Sequence, residues 1–190
     1  MAFENDWAFL RAALPELKNY ILSNDLYWPL RLNAGAGGSA QSPQLTVGNL
    51  ALTLARLSAP PLQGAQAAEL AEITQRIQAL REEWRSNWGR KAGKEYSSRL
   101  NLWQQYMREL RGDTRGQAAY YANEVRQRTI LQLLLPEILE SVPAHVQDQV
   151  TMLDGVLRGL TAPGPFVWEP EVQGSFPQPE YWFLYVTFTR

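Results

Sequence analysis

AQAAELAEITQRIQALREEWRSNW, residues 65–88, is the stretch that decides the fold. Leu70, Ile73, Ile77, Leu80, Trp84 and Trp88 recur in it at intervals of three, four, three, four and four. At 3.6 residues per turn, this spacing lines six apolar side chains along one stripe of a helix. The same period continues on both sides. Upstream, Phe3, Trp7, Leu10, Leu14, Leu17 and Ile21 form a first helix, with Pro15 inside it predicting a kink or a second piece. Leu45 to Leu57 reads as a short apolar helix stopped by Pro60-Pro61.

Downstream, Gly89 and Gly93 are expected to bracket a break, after which Tyr96, Leu100, Trp103, Met107 and Leu110 define another helix ending near Gly112 and Gly116. Gln117 to Leu139 makes the next, with Tyr121, Val125 and Leu131 inward. Val146, Val150, Leu153, Leu157 and Leu160 make the last, with Pro143 at its first turn. These runs predict a mainly α bundle of about six amphipathic helices over residues 1–161. A Pro- and Gly-rich connector opens the second segment, residues 162–190, and leads into Tyr181 to Thr189, whose aromatic and β-branched density predicts a C-terminal strand or hairpin. Phe166 to Val172 is its candidate partner, held to an edge by Pro170.

At 190 residues the chain has room for one domain with a full core. Its hydrophobic fraction of 45% and charged fraction of 19% fit a folded protein and argue against global disorder. Cysteine is absent, so thiolate nucleophiles, Fe–S clusters and Cys-based zinc sites are excluded. A single histidine, His145, leaves little for a transition-metal site, and no Ser or Asp at a telling spacing makes it a general base. Glu69 with Glu72, and Glu137 with Glu140, each share a helix face but lack the Glu-x-x-His partner of di-iron bundles. The expected complement of metals and cofactors is therefore none. The stretch Gly89-Arg-Lys-Ala-Gly93-Lys94-Glu95 fails as a phosphate loop: it has three residues between the glycines where four are needed, and Glu95 where a Ser or Thr should follow the lysine. Residues 1–7 hold two acids and no basic run, and the apolar run from Ile130 to Leu135 is too short for a membrane span, so a cytoplasmic location without membrane contact is the default expectation.

Two surfaces stand out. The first is aromatic. Tyr27, Trp28 and Arg31 flank the Gly-, Ala- and Ser-rich loop from Ala34 to Ser42, and Tyr181, Trp182, Phe183 and Tyr185 fill the tail. A strand there would carry apolar side chains on both faces, so it must pack on helices, join a sheet or pair with another chain. Large aromatics and arginine are also the usual anchors of interfaces. Together they suggest a non-enzymatic interaction protein, an adaptor, assembly factor or small subunit, with a protein partner or self-association.

The second surface is basic. Net charge is -1 overall, but residues 81–128 hold 11 Lys and Arg against 6 Asp and Glu. Arg85, Arg90, Lys91, Lys94 and Arg99 gather around the expected break, and Arg108, Arg111 and Arg115 follow. Interleaved Trp88, Tyr96 and Trp103 would offer stacking surfaces if they were not core. The alternative function is thus a helical nucleic-acid-binding accessory protein. Against it stands an ordinary solvated face, its charges paired four residues apart as Glu95 with Arg99 and Glu124 with Arg128.

Overall fold

The computed structural model describes residues 3–30, 44–138 and 144–189. Among them the fold is mainly α, with seven helices and two short antiparallel strand pairs. Helix α1 spans Glu4–Leu22, α2 Val47–Ser58, α3 Gly64–Glu83, α4 Arg85–Gly112, α5 Thr114–Gln117, α6 Tyr121–Ile138 and α7 Ala144–Leu160. Strand β1 (Trp28–Pro29) pairs with β2 (Gln44–Leu45), and β3 (Thr161–Pro163) with β4 (Val186–Phe188). Arg31, the Ala34–Ser42 loop, Leu139, Glu140, Pro143 and the side chain of His145 lie outside the described residues.

The central pair is α4 against α6, the most extensive contact between elements, with α2 laid against α6 and α1 against α2. Trp88, Ala92, Tyr96, Leu100, Trp103, Met107 and Leu110 bury one stripe of α4 along nearly its whole length. That burial explains why the expected break at Gly89 and Gly93 does not occur. A helical glycine costs about 1 kcal/mol against alanine, whereas a fully buried large apolar side chain contributes about 1.5–3 kcal/mol. The break falls instead at Trp84, which leaves helical geometry at φ −115° and ψ 36° and separates α3 from α4. Trp88 thus belongs to the next helix, and α3 buries only Ile73 and Ile77 fully.

Pro15 does not divide α1, which runs unbroken from Glu4 to Leu22 with buried Leu10 and Ala13 before the proline and Leu17, Tyr20 and Ile21 after it. The helix expected from Gln117 begins instead at Tyr121, as α6, and is preceded by the short α5 and a single 3₁₀ turn. Asp113 makes the division: its carboxylate caps the Gly116 amide at 2.9 Å and starts a new helix directly after α4.

The tail packs on this same bundle. Its partner strand is β3, immediately after α7, and not Phe166–Val172. Nor is Tyr181–Thr189 one strand: Trp182–Leu184 is a 3₁₀ turn, and only Val186–Phe188 is extended. The reason is burial. Phe183 and Leu184 are both 0% exposed, and a strand would send these neighbours to opposite faces. Gly164 is required by the β3–β4 junction, because a Cβ there would lie 2.7 Å from the backbone of Val186 and Thr187.

Tyr20, Tyr106 and Tyr121 are buried in this core, and desolvation raises the pKa of each phenol. A pKa raised in the folded state stabilises the fold below the unfolded value near 10 and is lost as pH rises above it. Alkaline titration followed at 295 nm should therefore show these tyrosines ionising together with the loss of helical circular dichroism. Ionisation of every tyrosine near pH 10 with the helices intact would contradict their burial.

Candidate functional site

Thr46 is the N-cap of α2, its Oγ1 accepting from the Asn49 amide at 3.0 Å. The same hydroxyl donates to Glu95 Oε1 at 2.6 Å, and the Gly48 amide donates to Glu95 Oε2 at 2.7 Å. Glu95, fully buried on α4, is thus received by the first turn of α2, where free amides and the helix dipole favour an anion. Gly48 is required there: a Cβ would come within 2.7 Å of Glu95 Oε1 and 2.4 Å of Ile130 Cγ2.

Arg99, one turn on, completes the pair. Its Nε and Nη2 donate to Glu95 Oε1 at 3.1 and 2.9 Å. Nη1 donates to Gln127 Oε1 at 3.0 Å, and Nη2 also reaches Asn49 Oδ1 at 3.2 Å. Asn49 Oδ1 accepts a second guanidinium as well, Arg126 Nη2 at 3.3 Å. Here the chain opens into a polar cleft of about 610 Å³, lined by Asn5, Asp6, Phe9, Tyr27, Asn49, Arg99 and Arg126 among others. Arg126 also borders a neighbouring cleft of about 890 Å³ with Arg56, Trp168 and Glu169. Arg56 donates to Asp6 at 3.0 Å and to Glu169 at 3.3 Å. Burial pushes the Asp6 carboxyl up, against the lowering effect of Arg56.

The structure thereby joins Tyr27 and Arg99, which sequence spacing assigned to different surfaces. Tyr27 lines this cleft, its hydroxyl 2.7 Å from Ser98 Oγ. Trp28 faces a separate groove with Ala12, Pro15 and Glu16.

The remaining predicted residues divide by burial. Lys91 is 1% exposed and does not belong to a surface cluster. Its Nζ donates to Ser23 Oγ at 3.0 Å and to the Asp25 carbonyl, and sits 4.1 Å from the centre of the Tyr20 ring. It supplies a cation beyond the end of α1, whose own last turn has no basic residue. Arg85, Arg90, Lys94, Arg108, Arg111 and Arg115 are exposed, and none makes an ion pair within 4 Å among the described residues. Trp88, Tyr96 and Trp103 are core at 6%, 4% and 0% exposure, so they offer no stacking surface beside those cations.

In the tail, Tyr181 and Phe183 are buried, and Trp182 and Tyr185 half-buried. The Tyr121 hydroxyl donates to the Phe183 carbonyl at 2.6 Å, and the Tyr185 hydroxyl to the Phe176 carbonyl at 2.7 Å. Arg128 stacks 4.3 Å from the Phe183 ring while its guanidinium grips Asp154 at 2.9 Å through both Nε and Nη2, so it does not take the expected partner Glu124. Arg158 lies 4.0 Å from the Trp182 ring. The acidic pairs are engaged separately, Glu69 by Arg11, Glu72 by Arg76 and Glu137 by Arg81. No group of acids and histidine able to hold a metal occurs among the described residues, and no helix among them is long and apolar enough to cross a membrane.

No family model matches the chain, and no curated protein or solved structure matches it either. The fold is held by the geometry around Glu95 and by the buried tail.

Two substitutions probe it. Glu95→Ala leaves Arg99 buried without its carboxylate and strips the Thr46 hydroxyl and Gly48 amide of their acceptor, and should cost about 3–5 kcal/mol in denaturant unfolding. Phe183→Ala should cost about 3–5 kcal/mol by the same measurement, as for any buried phenylalanine. A change below about 0.5 kcal/mol would mean that the aromatic tail is surface instead of core.

Proposed function

We propose that this protein acts by binding, without catalysis of its own, and that its partner is a nucleic acid engaged through the outer face of α4. The observation that carries the reading is the solvent stripe of that helix. Arg90, Lys94, Ser97, Asn101, Gln105 and Arg108 recur at four, three, four, four and three, and all are exposed. Arg111 extends the stripe at its C-terminal end; Arg115 lies beyond it on α5, and Arg85 faces a separate groove with Arg81 and Glu137. Lys94 and Arg108 are 14 positions apart, which on a helix is about 21 Å. Among residues 90–111 Glu109 is the one exposed acid, so the stripe's four cations, Arg90, Lys94, Arg108 and Arg111, meet little opposing charge. Short polar side chains fill the middle, where hydroxyl and amide groups suit phosphate and sugar oxygens.

With the aromatics of this helix in the core, binding rests on phosphates and not on base stacking, and carries little sequence preference. The protein-partner reading draws instead on the half-buried aromatics Trp28, Trp182 and Tyr185. It has less support, because Tyr181 and Phe183 of the same set are interior side chains.

The test is fluorescence anisotropy with a labelled 30-base-pair duplex across a series of salt concentrations. Four phosphate contacts give a slope of log K against log salt of about −4. Arg90→Ala with Lys94→Ala should flatten that slope by about 2 while leaving the melting temperature unchanged. Lys91, being buried, stays out of the variant. Binding that is absent at low salt, or a slope unchanged in the double variant, overturns the proposal.

A further inference from the structure

We propose that the cleft between α1, α2, α4 and α6 is a binding site for a small organic oxyanion, a carboxylate or phosphate carried on a compact apolar body, with Arg126 as its principal ligand.

Two guanidiniums, Arg99 and Arg126, line the cleft, and Arg56 stands in the neighbouring cleft that Arg126 also borders. Arg56 is neutralised by Asp6 and Glu169, and Arg99 by Glu95. Arg126 has no carboxylate within 4 Å among the described residues; Asp6 and Glu95 act on it only at longer range. A guanidinium carries five N–H groups. Arg99 commits four of its own: one from Nε, both from Nη2 and one from Nη1. Arg126 commits one, to Asn49 at 3.3 Å. Four donors on Arg126 and one on Arg99 are left for an acceptor entering the cleft. The surrounding protein and the like charges of Arg99 and Arg56 depress the Arg126 pKa. Positive charge beside positive charge is costly, and a bound counter-anion removes that cost.

Asn49 fixes the orientation. Its Oδ1 receives both Arg99 and Arg126, while its amide nitrogen is held by the Gln44 carbonyl at 2.9 Å. The two guanidiniums are thereby held beside one another before any ligand arrives. A planar fork of this kind suits the paired oxygens of a carboxylate or phosphate. Phe9, Tyr27 and Pro29 also line the cleft, with Arg99 5.9 Å from the centre of the Tyr27 ring, and give a ring or short aliphatic body an apolar surface to lie on. The volume of about 610 Å³ falls in the range of small-molecule sites and is too large for a bare ion.

This site is independent of the outer face of α4: Arg126 lies on α6 and takes no part in that stripe. It is tested on the full chain by isothermal titration calorimetry with benzoate, phenyl phosphate and, as the neutral counterpart, benzyl alcohol. Saturable binding of benzoate or phenyl phosphate, with none of benzyl alcohol, is expected, and the tighter of the two identifies the oxyanion. Arg126→Gln, at an exposed side chain whose loss leaves the core intact, should weaken that binding roughly tenfold or more with unchanged circular dichroism. Arg108→Gln on the outer face of α4 should leave it as it was. No saturation by either anion up to about 10 mM, weaker than any useful recognition, overturns the proposal. So does equal binding by the Arg126→Gln variant.

Discussion

A carboxylate with no access to water organises this molecule. Glu95 is held by a capping hydroxyl, a helix N-terminal amide and a guanidinium, so that α2 and α4 meet at a charged centre within an apolar bundle. Burying an ion is expensive unless its hydrogen bonds are complete. Here both carboxylate oxygens are occupied, which fixes the approach of α2 to α4 more narrowly than apolar packing would. Leu and Ile stripes tolerate a slide of part of a turn. A carboxylate that must meet Thr46, Gly48 and Arg99 at once does not.

The consequences spread outward from that point. Arg99, oriented by Glu95, reaches Gln127 on α6 and Asn49 on α2, and Asn49 in turn holds Arg126. A second buried pair, Arg128 with Asp154, does the same work at the other side of α6. It ties α6 to α7 and presents the guanidinium to the Phe183 ring, on which the tail closes. The tail then continues as edge-to-face rings, Trp168 on Phe176, Phe176 on Tyr181 and Tyr181 near Phe183, at centroid distances of 5.4, 5.2 and 6.0 Å. Helix α6 is thus served on one side by Glu95 and Arg99 and on the other by Arg128 and Asp154. The tail is seated by the second pair and by the Tyr121 hydroxyl.

What was legible in the sequence was whatever periodicity governs. The apolar stripes of α1, α2, α4 and α7 are where a 3.6-residue period puts them, and the i, i+4 relation of Glu95 to Arg99 is real. What periodicity cannot report is burial of charge. Lys91, Glu95 and Arg99 read as part of a solvated basic cluster because charged residues are almost always outside unless paired; their partners, Ser23, Thr46 and Asn49, lie about 50 to 70 positions away. Glu124 and Arg128 have the right spacing for a pair, yet Arg128 takes Asp154, since a bidentate buried carboxylate outweighs an exposed helical neighbour. Glycine misled in α4 and proline in α1, where packing overrode local preference. The tail read correctly as aromatic and structured but wrongly as one strand, because aromatic and β-branched density does not report that Trp182–Leu184 closes into a 3₁₀ turn when it packs on the helices. Arg126 was counted in the basic stretch and not singled out. Its meeting with Asn49, 77 positions away, is purely tertiary. Thr46 did carry a local signal, a capping residue just before an apolar run.

The division of the basic residues between inside and outside bears on function more than their number does. A count of 11 cations in residues 81–128 suggests one electropositive surface. Folding separates it into three kinds of charge. Arg81, Lys91, Arg99 and Arg128 are spent on structure, each with acceptors that occupy it. Arg85, Arg90, Lys94, Arg108, Arg111 and Arg115 are exposed, make no ion pair among the described residues, and are screened by salt. Arg126 is of neither kind: it is reachable from solvent, flanked by guanidiniums and nearly unbonded, in a cleft where screening is weak. Electrostatic attraction is strongest where desolvation is partly met before the ligand arrives. By that measure the proposed polyanion would meet the outer face of α4 over its length, and the proposed small anion would meet Arg126 at a point.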